Sequence, residues 1–314
     1  MPKTVVVALG GNTFIADATH QSVPDQYAAA ERACQHLLPL LRDPEVRLVI
    51  THGNGPQVGF ILLRSEIAAA ALHQVPLDSC VADTQGALGY QLERALRNEI
   101  RRQALAREPA AVVTLVLVDR DDPAFRNPTK PIGSFLTREK AEERRRDNGW
   151  DVVEDAGRGW RRVVASPVPK AILGLEAVRA LLDAGFVVIA AGGGGIAVVE
   201  DEHGDISGAS AVVDKDLASS LLARQLGAET LIITTNVEKV LLDYGRPDQR
   251  PVDVLTIEEA KRYLADGHFK SGSMQPKIEA VIQFLEGGGR DAIIADPEHL
   301  EAALEGHGGT RFVR

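Results

Sequence analysis

Short β-branched runs alternate with longer helical patterns along almost the whole chain, and this alternation constrains the fold more than any other feature. Residues 4–9, 47–50, 111–118, 186–190, 230–234, 291–294 and 311–313 read as strands, with helical patterns between most of them. Apolar runs of this kind suit strands buried on both faces. The pattern therefore implies a largely parallel sheet covered by helices on each side. The sequence TIEE at 256–259 is a capping-box start for a helix to about Leu264. The glycines at 287–289 stop a second helix, expected from near Pro276 to Glu286. The 314 residues suffice for one large α/β unit or two lobes. Apolar residues make up 45% and aromatics only 4%, so the core must be built mainly from Val, Ile, Leu and Ala.

The segment 51–59, THGNGPQVG, follows the apolar run Leu48, Val49, Ile50. It reads as a buried strand ending in a glycine turn that opens into a helix. Such a junction leaves backbone N–H groups pointing at one spot, and the helix N-terminus favours negative charge there. The same arrangement is expected at 5–12 (VVVALGGN) and at 186–196 (FVVIAAGGGGI). Any one of the three reads equally as an ordinary tight turn. Together they point to an enzyme that handles phosphate.

Residues 119–169 break the rhythm, being rich in charge, Pro and Gly. Within them 137–147 reads as a solvated helix, and 150–154 and 160–164 as two strands joined by a turn at 155–159. These fifty or so residues are expected to form an inserted flap over the edge of the sheet. The flap contains NPTKPIG (127–133), where two prolines frame Lys130 and restrict it. Lys215 lies in VVDKDLAS between Asp214 and Asp216, and Lys277 follows Pro276 in GSMQPK, each at an expected helix start. Converging lysines with glycine-rich amides could neutralise and position a phosphoryl group in flight. Acidic neighbours hold a lysine in place and keep it charged. Asp216 reads equally as the organiser of these lysines and as a first-turn carboxylate.

Other classes fit poorly. A net charge of −9 argues against a general nucleic-acid or membrane-surface binder. Cys34 and Cys80 are too few for a disulfide framework and are not spaced for metal. The opening MPKTVVVALGG has too short an apolar run for a signal peptide, and no stretch approaches the roughly 18 apolar residues of a membrane span. GGGGIA (192–197) formally matches a dinucleotide fingerprint, but a strand and turn are expected after it instead of the required helix. GHFKSGSM (267–274) lacks the P-loop lysine and has no strand leading into it. His52 reads as a structural hydrogen-bonding residue of its turn.

Taken together and in order, ALGGN (8–12), THGNGPQVG (51–59), TQGALGY (84–90), NPTKPIG (127–133), AAGGGGI (190–196), DKDLAS (214–219) and GHFKSGSMQPK (267–277) resemble the carbamate kinases of the amino-acid-kinase superfamily. The resemblance covers nearly the whole chain, and NPTKPIG is its most specific part. It implies a three-layer αβα sandwich with an open, mainly parallel eight-stranded sheet, plus the inserted flap. It also implies a carbamate-binding N-terminal lobe (1–226, with the flap at about 119–169) and a nucleotide-binding C-terminal lobe (227–314). The implied reaction is reversible phosphoryl transfer between ATP and carbamate, giving ADP and carbamoyl phosphate. Lys130, Lys215, Asp216 and Lys277 would be catalytic. Gly10, Gly11, Asn12, Gly53 and Asn54 would hold the carbamoyl side. Thr235, Asn236, Val237, Lys239, Val240, Tyr244, Ser273, Met274 and Pro276 would hold the nucleotide. Magnesium would arrive with ATP or ADP, with no dedicated protein metal site. A cytoplasmic homodimer working on small molecules, with no nucleic-acid or membrane partner, completes the expectation; arginine breakdown is one of several pathways that such an enzyme can serve.

The chain departs from the family pattern at Thr13, Asp83, Ser210, Asn236 and Gln275. Asn236 removes a charge near the expected nucleotide site. Thr13 and Asp83 are expected to alter the acyl-phosphate pocket. The departures leave two alternatives: a carbamate-kinase-like paralogue acting on another small carboxylate, carbamate or acyl phosphate, and a non-catalytic nucleotide-binding descendant.

Overall fold

A computed structural model describes all residues except 1, 11–12, 16, 18, 155–158 and 270–271, and only the backbone of residue 134. Along the chain, β1 (Lys3–Leu9) leads to α1 (Val23–His36) and α2 (Leu38–Arg42), and β2 (Val46–His52) to α3 (Gly55–Ala68) and α4 (Leu77–Arg102). Next come β3 (Pro109–Ala111) and β4 (Leu115–Val118), then β5 (Lys130–Leu136), α5 (Arg138–Asn148), β6 (Asp151–Glu154) and β7 (Trp160–Val164). The chain continues through β8 (Pro169–Leu173), α6 (Leu175–Asp183), β9 (Val187–Ile189), β10 (Ile196–Glu200), β11 (Ile206–Gly208) and α7 (Lys215–Leu226). The C-terminal part holds β12 (Thr230–Thr234), β13 (Val240–Leu242), β14 (Arg250–Val252), β15 (Val254–Thr256), α8 (Ile257–Ala265), α9 (Met274–Glu286), β16 (Asp291–Ala295), α10 (Leu300–Glu305) and β17 (Thr310–Val313).

Eight strands form one sheet in the order β15-β17-β16-β12-β1-β2-β9-β3. Only the β16–β17 pairing is antiparallel. Strand alternation splits the core into two layers. Val5, Val7 and Leu9 of β1 face a cluster with Leu88, Leu92 and Leu96 of α4 and Ala30 and Ala33 of α1. Val6 and Ala8 face the opposite cluster, with Leu221 and Leu222 of α7 and Ile278, Val281 and Phe284 of α9. Burying each large aliphatic side chain contributes roughly 1.5–3 kcal/mol, which explains how so few aromatics suffice. The result is the expected three-layer sandwich.

The expected single strand at 111–118 is corrected by the structure. Ala111 ends β3 in the main sheet, whereas Leu115 opens β4 in a separate four-stranded sheet of order β11-β10-β4-β8. Thr114 turns the chain between them: its N–H donates to Gln85 Oε1, and its carbonyl accepts from Ile196 N. The segment at 186–196 is corrected as well. No helix follows β9; Gly192–Gly194 make a 3-10 turn, and the chain enters β10. Ala191, Gly193, Gly194 and Gly195 all have positive φ, which an α-helix cannot continue. At 5–12, β1 likewise leads to no immediate helix, since α1 begins only at Val23; Gly11 and Asn12 lie outside the described residues. The strand reading of β10 and β11 agrees with the rejection of a dinucleotide fingerprint there.

The flap takes its expected place between β4 and β8. Its strands β5, β7 and β6 form an antiparallel sheet with α5 beside it. The expected turn at 155–159 lies outside the described residues apart from Gly159. The flap rests on α3 at a point where two backbones nearly touch: a Cβ on Gly59 would lie 2.0 Å from Gly133 Cα. Glu66 of α3 reaches Arg144 and Arg162 of the flap at 3.6 and 3.7 Å. Ile132 and Val164 of the flap complete a small apolar cluster with Val58, Leu77 and Val81. Among the described residues, no helix is long and apolar enough to cross a membrane.

Candidate active site

The parallel strands β1, β2 and β12 end on one side of the sheet, and an open cleft of about 290 Å³ lies there. Ligands of open α/β sheets commonly sit outside the carboxyl ends of the strands. Gly10, Gly53 and Thr234 bring those three strand ends to the cleft wall. Helices α3, α7 and α9 also begin at it, through Gly55, Lys215 and Ser273–Pro276–Lys277. Three positive helix ends therefore meet at one spot, which favours a multiply charged anion.

Two carboxylates and three lysines meet in this cleft. Asp216, in the first turn of α7, accepts from Lys215 Nζ on Oδ1 at 2.6 Å and from Lys277 Nζ on Oδ2 at 2.8 Å. Its side chain is only 4% exposed, so both contacts are largely shielded from water. Burial opposes its charge, but the two lysines outweigh burial and hold the carboxyl well below the usual range. Burial pushes Lys215 below the ordinary lysine range against the pull of Asp216. At Lys277 burial acts the same way, but Asp216 prevails and the net shift is upward. Lys130 reaches over from the flap to Asp214 Oδ2 at 2.5 Å. Three cations against two carboxylates leave one positive charge on these groups to meet an anionic substrate.

Behind the lysines, buried hydroxyls tie the elements together. Ser219 Oγ donates to the Lys215 carbonyl at 2.5 Å and lies 2.6 Å from Thr51 Oγ1, linking the end of β2 to the first turn of α7. Asn54 Nδ2 donates to Thr84 Oγ1 at 2.7 Å. A Cβ on Gly193 would lie 2.1 Å from Asn54 Nδ2, so glycine is what lets the Asn54 side chain pass there. His52 is fully buried; its Nδ1 lies 3.1 Å from the Gly53 carbonyl, and burial pushes its pKa down to about 4. A neutral ring with Nδ1–H donating to that carbonyl fits the structural role expected for it.

The structure places Lys130, Lys215, Asp216 and Lys277 together in the cleft, with Gly10, Gly53, Asn54, Thr235, Asn236, Ser273 and Pro276 on its walls. The Gly10 and Gly53 amides are engaged within the fold, donating to Thr234 Oγ1 and to the Leu9 carbonyl. The N-terminus of α3 at Gly55 is therefore the part of that junction turned to the cleft. Gly11 and Asn12 lie outside the described residues. Val237, Lys239, Val240, Tyr244 and Met274 do not line the cleft: Val240 is buried in β13, Lys239 pairs with Asp253 at 2.6 Å, and Tyr244 is exposed. Of the five departures, only Asn236 is on the wall. Asp83 and Ser210 are exposed elsewhere, Gln275 donates to Glu279, and Thr13 bonds back to the Gly10 carbonyl. Sequence reasoning passed over Asp214 as a functional group and missed Arg161 of the flap, which also lines the cleft. The DKD spacing carried a signal for Asp214; nothing in the local sequence marks Arg161.

The amino acid kinase family model matches residues 3–296. The chain is 48% identical over 317 aligned residues, spanning all of both chains, to the carbamate kinase-like protein YahI of Escherichia coli strain K12. It is 43% identical to the carbamate kinase of Thermococcus kodakarensis, with 99% of each chain covered. The structure of Giardia lamblia carbamate kinase bound to AMP-PNP matches with a TM-score of 0.90 at 38% identity, covering 99% of this chain and 98% of that one.

Proposed function

The chain belongs to the amino acid kinase family, and from that premise we propose that its cleft transfers a phosphoryl group reversibly between ATP and carbamate. The observation that carries this reading is the pair of lysines held on the two oxygens of one buried carboxylate, Asp216. In the forward direction a carbamate oxygen attacks the γ-phosphorus and the bond to ADP breaks. In reverse an ADP oxygen attacks the phosphorus of carbamoyl phosphate, the bond from phosphorus to the carbamate oxygen breaks, and carbamate leaves. Either attacking oxygen is already anionic, so no proton has to be removed. The protein's task is to align the partners and spread positive charge over the transferring group. Lys215 and Lys277 meet that group from the floor of the cleft and Lys130 from the flap, while Asp216 fixes the two floor lysines.

The carbamoyl side lies at Gly10, Gly53 and Asn54 together with Gly11 and Asn12. The nucleotide lies toward Thr235, Asn236, Ser273 and Pro276, with Val237, Lys239, Val240, Tyr244 and Met274 around it. This divides the chain into an N-terminal lobe to residue 226 and a C-terminal lobe from 227, which share the sheet. Magnesium comes on the nucleotide's phosphates, because lysines already engage both cleft carboxylates, Asp214 and Asp216. A bound ion there would offset phosphate charge. The enzyme works as a cytoplasmic homodimer; β3 ends the main sheet, and beside it Tyr90 and Val113 are 59% and 66% exposed.

Replacing Lys215 or Lys277 by Ala is expected to lower kcat by at least about 100-fold, the scale of one lost transition-state contact. Circular dichroism should show the fold retained; near-normal turnover in both variants contradicts the assignment. A second reading, transfer to another small carboxylate, is favoured by the 48% match to a carbamate kinase-like protein. A panel of acyl phosphates with ADP separates the two, the better substrate by kcat/KM deciding.

A further inference from the structure

We propose that Asp214 is a positioning residue that fixes the flap's Lys130 over the cleft before the anionic substrate arrives, an inference that rests on the kinase reading above. Its two oxygens do different work. Oδ1 accepts from the backbone N–H groups of Asp216 at 2.8 Å and Leu217 at 3.4 Å, capping α7. Oδ2 takes the Lys130 ammonium at 2.5 Å. Because the helix holds one oxygen, the other is a fixed point in space. Lys130 comes from β5, 84 residues earlier in the chain, and without such an anchor its long side chain would sample many rotamers. The pair is only partly open to water, with side chains 29% and 12% exposed.

Asp214 thus stands in for the substrate's negative charge while the cleft is empty. Lys130 exchanges one anion for another on binding and does not have to be ordered at that moment. The same turn of α7 carries Asp216, so one short segment, DKD, sets all three ammonium groups. Lys130 meets the first carboxylate; Lys215 and Lys277 meet the second.

The cap and the anchor can be separated. Asn caps a helix about as well as Asp but cannot pair with an ammonium as an ion. Asp214→Asn should raise KM for carbamoyl phosphate by about 10-fold, in keeping with the cost of misplacing a binding group. KM for ADP and the melting temperature should change little, whereas Asp214→Ala should also destabilise α7. In a Lys130→Ala background, Asp214→Asn should add nothing, because the partner it orients is gone. An Asp214→Asn enzyme with unchanged KM, or an effect undiminished by Lys130→Ala, overturns the proposal. Absence of turnover in the wild-type protein sinks the kinase reading alone, because the anchor is still tested by amide hydrogen exchange. Faster exchange in β5 of Asp214→Asn, with α7 unchanged, supports the anchor; unchanged β5 overturns it.

Discussion

Asp216 and His52 show how burial turns a single side chain toward chemistry or toward architecture. Asp216 remains ionised because two ammonium groups outweigh its desolvation, and its two oxygens then set where those groups sit. His52 has no such partner, and burial lowers its pKa from 6.5 to about 4. Between those values the unfolded chain binds a proton that the folded chain refuses. Stability should therefore be full above about pH 6.5 and fall toward pH 4, by about 1.4 kcal/mol per pH unit from this group. Urea titrations at pH 7 and pH 5 should show His52→Gln losing roughly 2 kcal/mol of that difference; an unchanged difference contradicts the assignment. At this scale the sequence was most readable where residue type and spacing coincide, as in DKD and NPTKPIG. It was least readable where a role depends on a partner far along the chain. Asp214 is an ordinary cap until Lys130 arrives from another element, and Arg161 gains its place in the cleft only when the flap folds over.

Among the elements, α3 and the flap are joined where Gly59 meets the Gly133 backbone, and Gly59 has no room for a side chain. Gly59→Ala should push the flap outward, costing about 1–3 kcal/mol as overpacking usually does. If the flap carries Lys130 to the substrate, kcat/KM for carbamoyl phosphate should fall while hydrogen exchange rises in β5 and not in β1. Unchanged kinetics with a displaced flap would argue that Lys130 acts without it. The boundaries of the flap, its helix and two of its strands follow from charge and Pro/Gly content. The capping box at Thr256 likewise marks α8 to within a residue of its observed start. The errors arose where the chain moves between sheets. An apolar run such as 111–118 looks continuous, although a buried threonine divides it between two sheets. A run of four glycines after a strand looks like the opening of a helix, although successive positive φ values make it a crossover to β10.

In the whole molecule, one sheet carries the whole cleft: β1, β2 and β12 all end at it, and in the proposed reading β1 and β2 end at the carbamoyl side and β12 at the nucleotide side. Transfer then needs no large approach of two separate bodies, because the strand ends already face one cleft. At the far edge of that sheet, Glu93 and Arg97 of α4 engage the β3 backbone, and the exposed Tyr90 and Val113 beside it suit contact with a second copy. Sedimentation should give a mass twice the 33.7 kDa of one chain, and Tyr90→Asp should weaken the association. A monomer at micromolar concentration contradicts the dimer and leaves the cleft chemistry intact. Parallel topology was legible from strand alternation, because buried parallel strands need apolar residues on both faces. The four-stranded sheet beneath the flap was not, since its strands are short and pair across distant segments. Phosphoryl transfer in this cleft is tested most directly by ATP formation from ADP, magnesium and carbamoyl phosphate by the purified protein, with Lys277→Ala measured beside it. Turnover that requires magnesium and is lost in the variant is the outcome expected of that transfer. No ATP from the folded wild-type protein, or equal rates from both proteins, would contradict it.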